Sequence, residues 1–364
     1  MLLWAAILAL AWTVGVAVSQ GKVKGFSVKG VIEALFPNVF VAAVVAFVVF
    51  AAIGKVTSSF VDVVRYLDTS PRSYEVRRAI RGGMVDLLRN LHATDKYSRV
   101  IIVAHSLGGF IAYDALSSFW DETDRGQDRD IEFAKLADLE SAAQTLLHRP
   151  ANPCPATADA LVGGTPTGAN YGPKDPLIIT LRAAQLALWN ELRENEINWR
   201  VTDFITVGTP MYMADLLFTK NHDRFEELKK RAELPQCPPR SDSETVEGPT
   251  PTNLMYGRRE DGDIRRRLVT GSPFAVVRWS NLWFPTLYGI FGDPFGGSLA
   301  ALFGAGIDDR AVTADEPGRY IPLWAHMKYF SCPDRIGPDF VAPVIRTALA
   351  LEYPNPPVME ATPA

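Results

Sequence analysis

Val100-Ile101-Ile102-Val103-Ala104-His105-Ser106-Leu107-Gly108-Gly109 is the stretch on which the fold turns. Its first four residues are apolar and β-branched, with no polar alternation. That is the pattern of a strand buried on both faces of a parallel sheet. Leu107 to Phe119 then reads as a helix, so a sharp turn must lie between. Upstream, Ser70-Pro71 marks a helix start, with Pro at the first helical position. Val76, Ile80, Met84, Leu87, Leu88 and Leu91 follow at helical spacing and predict one apolar face. Helix, strand, turn, helix opens an α/β architecture with a mostly parallel sheet flanked by helices. Phe204-Ile205-Thr206-Val207, stopped by Gly208-Thr209-Pro210, predicts a second buried strand. A third is predicted to begin at Ala275-Val276-Val277.

The turn itself carries chemistry. A serine placed between strand and helix on a strained backbone needs small neighbours two before and two after it. Ala104 and Gly108 supply them, in the pattern G-x-S-x-G with Ala at the first small position. Such a turn aims the Ser106 hydroxyl away from the sheet. The helix start behind it offers N–H groups to an oxyanion, that of Leu107 first. The competing reading is a merely structural Gly-rich turn.

A serine nucleophile needs a base, and histidine is the usual one. Of the five histidines, His92 precedes the serine and His105 lies inside the turn. His148 and His222 lie in charged or loop-like stretches. His326, in Leu323-Trp324-Ala325-His326-Met327-Lys328-Tyr329, comes late in the chain, as the order serine, acid, histidine requires. The acid then falls between. Asp293, in the Gly/Pro-rich loop Gly292-Asp293-Pro294, is the leading candidate, with Asp308, Asp309 and Asp315 as rivals. Trp283, Phe284, Phe291, Phe295, Leu299, Leu302 and Phe303, around that loop, read either as an acyl pocket or as core.

Taken together, A-H-S-L-G-G at 104–109, V-G-T-P at 207–210, W-S-N-L-W followed by G-D-P, and A-H-x-x-Y-F at 325–330 resemble the α/β-hydrolase superfamily. The likeness is to its lipase/esterase-like serine hydrolases with an N-terminal membrane anchor. It spans roughly residues 60–350. It implies Ser106 as nucleophile, Asp293 as acid, His326 as base and the Leu107 N–H in the oxyanion hole. Residues 121–200 would be an inserted cap. One feature departs from that pattern. No His-Gly motif precedes Ser106, so a second oxyanion donor is unassigned. Only residues 55–98 are left for the earlier strands. Either the sheet is shortened, with Val61–Tyr66 as an early strand, or the Val-rich segment before it joins the fold.

That segment belongs to an unusual front end. Residues 1–54 carry only four charged side chains: Lys22, Lys24, Lys29 and Glu33. Two uncharged stretches, 1–21 and 34–54, are each close to the ~20 residues that cross a bilayer as a helix. They predict a two-helix transmembrane hairpin. A cleaved signal peptide and a buried strand are the competing readings of the two stretches. Arginines beyond Lys55 tip the expected orientation toward a cytoplasmic domain. The remainder, 55–352, reads as one domain with an exposed loop at 235–253, and the Pro-rich end, 353–364, as a disordered tail.

Over the whole chain, 364 residues carry a net charge of −4 and 21% charged side chains. No cationic excess exists to neutralise phosphates, which argues against nucleic acid as a partner. Cys154, Cys237 and Cys332 are too few and too scattered for a zinc site. The resemblance implies neither metal nor cofactor. The expected function is a membrane-anchored serine hydrolase cleaving carboxylic esters of an apolar or lipid substrate at the bilayer. The alternatives are an acyltransferase or thioesterase with the same three residues, or a non-catalytic membrane binding protein on that fold.

Overall fold

The computed structural model describes residue 66 and residues 71–94, 96–125, 133–148, 175–219, 221–231, 233–239, 255–260, 263–268, 271–286, 292–312, 325–330 and 341–349. All belong to one compact unit, Val64–Ala364. In chain order they form α1 (Pro71–Ala93), β1 (Val100–His105), α2 (Gly108–Arg125), α3 (Leu136–Leu147), α4 (Pro176–Glu194) and β2 (Val201–Val207). There follow α5 (Ala214–Phe218), α6 (His222–Lys230), the strands β3 (Met255–Glu260) and β4 (Asp263–Leu268), and β5 (Arg278–Trp283). The last elements are α7 (Ala300–Phe303), β6 (Asp308–Ala311) and α8 (Val341–Leu349).

β1, β2, β5 and β6 make a four-stranded sheet in that order, every neighbouring pair parallel. β3 and β4 pair antiparallel in a separate ribbon. The predicted parallel α/β sheet is therefore present, with each crossover made through helices or long loops. α4 begins as its sequence dictates: Asp175 accepts a hydrogen bond from the Leu177 N–H, and Pro176 stands at the first helical position.

The two faces of the sheet bury different material. Phe204 and Trp279 meet Tyr113, Phe274 and Phe303 in an aromatic cluster with ring centroids 4.6–5.7 Å apart along Phe274–Trp279–Phe303 and Trp279–Tyr113. Ile205, Val207 and Leu282 face the other way, onto Val341, Val344 and Ala348 of α8 and onto Phe284, Ala325 and Tyr329. Each such side chain contributes about 1.5–3 kcal/mol by leaving water. At the N-terminal ends of the strands, charge is buried in pairs. Arg278 meets Asp203 at 2.8 Å, and Arg310 meets Asp308 at 2.7 Å, with Arg182 of α4 3.4 Å from Asp308.

Four expectations need correction. β5 starts at Arg278, not at Ala275, because Pro273 opens a short 3₁₀ turn, Pro273–Ala275. β1 is an edge strand among the described residues, and Val103 is 45% exposed. Its run of β-branched residues thus overstated its burial. Tyr66 is helical, so no early strand reaches it. Along α1 the buried side chains are Val85, Leu88 and His92, whereas Val76, Ile80 and Leu87 are exposed.

The membrane hairpin is a larger correction. Among the described residues no helix is long and apolar enough to cross a membrane. Residues 1–54 lie outside the described residues, so the fold seen is a parallel α/β sheet flanked by helices with no spanning element. None of the described residues supplies the expected bilayer contact, two-span anchor or membrane location.

His92 explains why the inner face of α1 differs from the apolar count. Its Nδ1–H donates to the Leu88 carbonyl at 2.7 Å and its Nε2 accepts from the Arg200 N–H at 2.9 Å. Its ring sits against Phe119 and Trp199. Burial pushes its pKa down to about 4, and the Arg200 and Arg193 charges push the same way. The unfolded chain takes up this proton near pH 6.5, and the folded chain resists until about pH 4. Stability from this site is therefore complete above pH 6.5 and falls as pH drops through that window, by about 2–3 kcal/mol. Thermal melts at pH 7 and pH 4.5 should show the loss, and His92→Gln, which cannot be protonated, should flatten it. An unchanged slope in that variant would assign the loss to other groups.

Candidate active site

The C-terminal ends of the parallel strands carry the candidate residues. Ser106 follows β1 directly and sits in the left-handed region at φ 56°. A non-glycine residue there costs about 1–2 kcal/mol. The turn is held by the Ser106 N–H donating to the Val207 carbonyl of β2 and by the Gly109 N–H donating back to Ser106, both at 3.0 Å. α2 starts at Gly108. The expected sharp passage from strand through turn to helix is observed around Ser106. The Leu107 N–H has no hydrogen-bond partner among the described residues. Gly109 is packed under the Thr209 hydroxyl, which leaves no room for a Cβ.

β5 leads to Asp293, and the chain beyond β6 returns to His326. His326 lies in the short turn Ala325–Met327, and its Nδ1 stands 3.0 and 3.1 Å from the two carboxylate oxygens of Asp293. The carboxylate is fully buried. It also accepts from the Phe295 N–H at 2.9 Å and from the Tyr329 hydroxyl at 2.6 Å. With Nδ1–H committed to the carboxylate, the neutral ring presents its Nε2 lone pair as acceptor. Phe295 packs on the ring with centroids 4.9 Å apart.

Of the expected residues, the structure thus brings Asp293 and His326 into direct contact. No hydrogen bond joins the Ser106 hydroxyl to His326. Ser106 is nonetheless tied to the pair through its neighbours. The ring of His105, one residue before it, lies tilted against the His326 ring with centroids 4.6 Å apart. Gly208, next to the Val207 that holds Ser106, lies against both Asp293 and Tyr329. The rival carboxylates have other work. Asp309 accepts from the Ser298 hydroxyl, the Leu299 and Ala300 N–H groups, the Asn281 amide and the Trp283 indole. Burial pushes its pKa up against those bonds. Asp308 is paired with Arg310, and Asp315 lies outside the described residues. Of the other histidines, His148 and His222 are exposed and His92 is the structural residue described above.

The suggested acyl-pocket residues resolve mostly into core. Phe303 joins the aromatic cluster under the sheet, Phe284 stacks on Tyr329 at 4.1 Å, and Leu299 is fully buried. Phe291 lies outside the described residues. Tyr329 is the residue that sequence reasoning missed. Its hydroxyl donates to Asp293 and accepts from the Phe284 N–H at 2.9 Å. Burial and the Asp293 charge hold its pKa well above the usual phenol value, so it stays a donor. The signal was available as the i, i+3 spacing of His326 and Tyr329, which a single turn brings to one side.

No family model matches the chain, and no curated protein or solved structure matches it. The resemblance to lipase/esterase-like α/β-hydrolases, drawn from short motifs, is corrected accordingly to the coarser α/β fold with a parallel sheet. The expected membrane-held hydrolase of carboxylic esters, with an apolar ester or lipid as partner, is likewise replaced. What stands in its place is a His–Asp pair at the C-terminal edge of that sheet, beside a serine on a left-handed turn.

Tyr329→Phe should leave a buried carboxylate one donor short and the Phe284 N–H without an acceptor. A loss of about 1–3 kcal/mol in denaturant unfolding is expected. A variant as stable as the parent would show that the hydroxyl does not serve Asp293. Gly208→Ala should cost more, since φ is +53° there and the new Cβ would meet the Tyr329 ring at 2.5 Å.

Proposed function

We propose that Ser106, His326 and Asp293 form a nucleophilic acyl-transfer centre, working as an acyltransferase or a thioesterase. The observation that carries this reading is the buried Asp293 holding the His326 ring by Nδ1, next to a serine on a strained left-handed turn. Strain of that kind, at a residue flanked by Ala104 and Gly108, fits a hydroxyl that must be presented rather than packed. In the reaction His326 Nε2 takes the Ser106 proton and Oγ bonds to the acyl carbon. Charge develops on the carbonyl oxygen, where the Leu107 N–H is available. Collapse breaks the bond to the leaving thiolate or alkoxide, which receives the proton from His326. An acceptor alcohol or water then gives its proton to His326, attacks the acyl-serine and releases Oγ, which recovers the proton.

One feature of the site favours transfer to a bound acceptor. His326 is only 9% exposed and is enclosed by Phe295, His105 and Tyr329. A base so shielded from water favours an acceptor that brings its own binding surface. A thioester donor would suit the same centre, because a thiolate is a good leaving group and makes smaller demands on proton delivery than an alkoxide.

The test is intact-protein mass spectrometry after incubation with a short-chain acyl thioester and with a fluorophosphonate. A single adduct is expected in the parent and none in Ser106→Ala. Thioester turnover should fall by about 10³-fold or more in His326→Ala and in Asp293→Asn. Added alcohol acceptors should yield the acyl ester if the protein is a transferase and leave only free acid if it is a thioesterase. Absence of any serine adduct in the folded parent would overturn the proposal and favour a non-catalytic binding role.

A further inference from the structure

The His105 side chain does something that the proton relay does not require. Its Nε2 lies 2.9 Å from the backbone carbonyl of His326. The two rings lie at 32° to one another with centroids 4.6 Å apart, and the edges of Tyr329 and Phe330 close the remaining sides at 5.8 Å each. The turn that presents His326 is three residues long, and within it the Lys328 N–H donates to the Ala325 carbonyl at 3.0 Å. A turn this short gives its middle residue little rigidity of its own. The His326 carbonyl receives its bond instead from the tip of β1, the strand that also positions Ser106.

We propose that His105 is a positioning residue that fixes the backbone and ring of His326 relative to Ser106. This rests on the acyl-transfer reading of the site for its consequence, though not for its geometry. Because His105 and Ser106 are consecutive, the bond from His105 Nε2–H to the His326 carbonyl ties base and nucleophile into one frame. It sets their spacing through a side chain rooted at a strand end. The arrangement needs His105 neutral, with the proton on Nε2. Burial lowers its pKa and the facing His326 lowers it further, so the ring stays uncharged. When His326 becomes an imidazolium during the reaction, no second charge lies across the stack to oppose it.

A histidine that merely fills space could be replaced by any ring. A positioning histidine needs its donor. His105→Phe keeps the aromatic stack and removes the bond, and His105→Gln keeps an N–H donor of similar reach. On the full chain, the downfield proton resonance of His326 Nδ1–H, identified by its loss in His326→Gln, reports the base directly. It should broaden or shift in His105→Phe and return in His105→Gln. Fluorophosphonate labelling of Ser106 should slow by about tenfold in the Phe variant, as expected for a small misplacement of the reacting groups. It should recover to within about threefold in the Gln variant. In thioester turnover the loss should fall on kcat rather than KM. Nitrogen shifts of ¹⁵N-labelled histidine in the parent should give His105 as the Nε2–H tautomer.

A Phe variant with unchanged resonance and labelling would overturn the proposal. So would a parent in which His105 carries its proton on Nδ1, a result that holds even where the Phe variant fails to fold. If the parent does not label at all but the resonance is lost in Phe and restored in Gln, His105 positions His326 and the acyl-transfer reading is the part that fails.

Discussion

The rest of the site depends on one buried carboxylate. Asp293 has no access to water, so every acceptor position it fills must be met by the protein. Three groups meet it: His326 Nδ1–H, the Tyr329 hydroxyl and the Phe295 N–H. Each has a structural consequence. Tyr329 must be drawn in so closely that positions 208 and 296 admit no side chain, since an added Cβ would come within 3 Å of its ring or hydroxyl. Phe284, at the exit of β5, must turn its N–H to the same hydroxyl. The loop after β5 is thereby locked to the turn that carries His326, across residues 33 to 36 positions apart in sequence.

The parallel sheet makes this possible by putting three chain exits side by side. β1 and β2 pair in parallel through His105 and Val207, and β5 joins on the far side of β2. Their C-terminal ends deliver Ser106, Gly208 and the Asp293 loop to one edge, the usual location for ligand sites in open α/β sheets. The opposite edge is arranged differently. Asp203 and Arg278 are directly paired in register, and Asp308 with Arg310 occupies the next strand. Buried ion pairs add little net stability, but removing one partner strands a charge in a place that cannot solvate it. Such pairs penalise any slip of the strands more than they strengthen the sheet. A slip of one residue would also exchange Phe204 with Ile205 and bring the wrong side chain to each of the two cores.

Much of this was legible in the sequence, and the limits have physical causes. The strand-turn-helix around Ser106 was readable because three local rules agree there: a β-branched run, small flanking residues and an apolar helix. Asp293 and His326 were singled out from chain order and loop chemistry, and their contact is what the fold adds. Other features are decided by tertiary contact alone. Nothing in Pro273-Phe274-Ala275 announces that the strand waits until Arg278, beyond the proline turn. The stripe of Val76, Ile80 and Leu87 on α1 has ideal helical spacing and is exposed, because a neutral histidine and two aliphatic residues occupy the inner face instead. Asp309 looked like a rival acid. Its five hydrogen bonds, which make it a strut for the turn into α7, link residues that a linear reading cannot bring together.

His105 shows the same limit from the other side. Its place inside the turn removed it from the candidate bases, yet its ring lies 4.6 Å from that of His326, with Nε2 committed to the His326 carbonyl. Alternation along a strand sends consecutive side chains to opposite sides. That alternation ends with His105, whose side chain reaches the turn that carries His326, and the left-handed Ser106 takes the chain out of it. The left-handed φ of Ser106 turns the chain toward α2, while His105 keeps the orientation that its pairing with Val207 gives it. The strain therefore falls on Ser106 alone, and the reach of His105 to the His326 carbonyl is set by strand pairing.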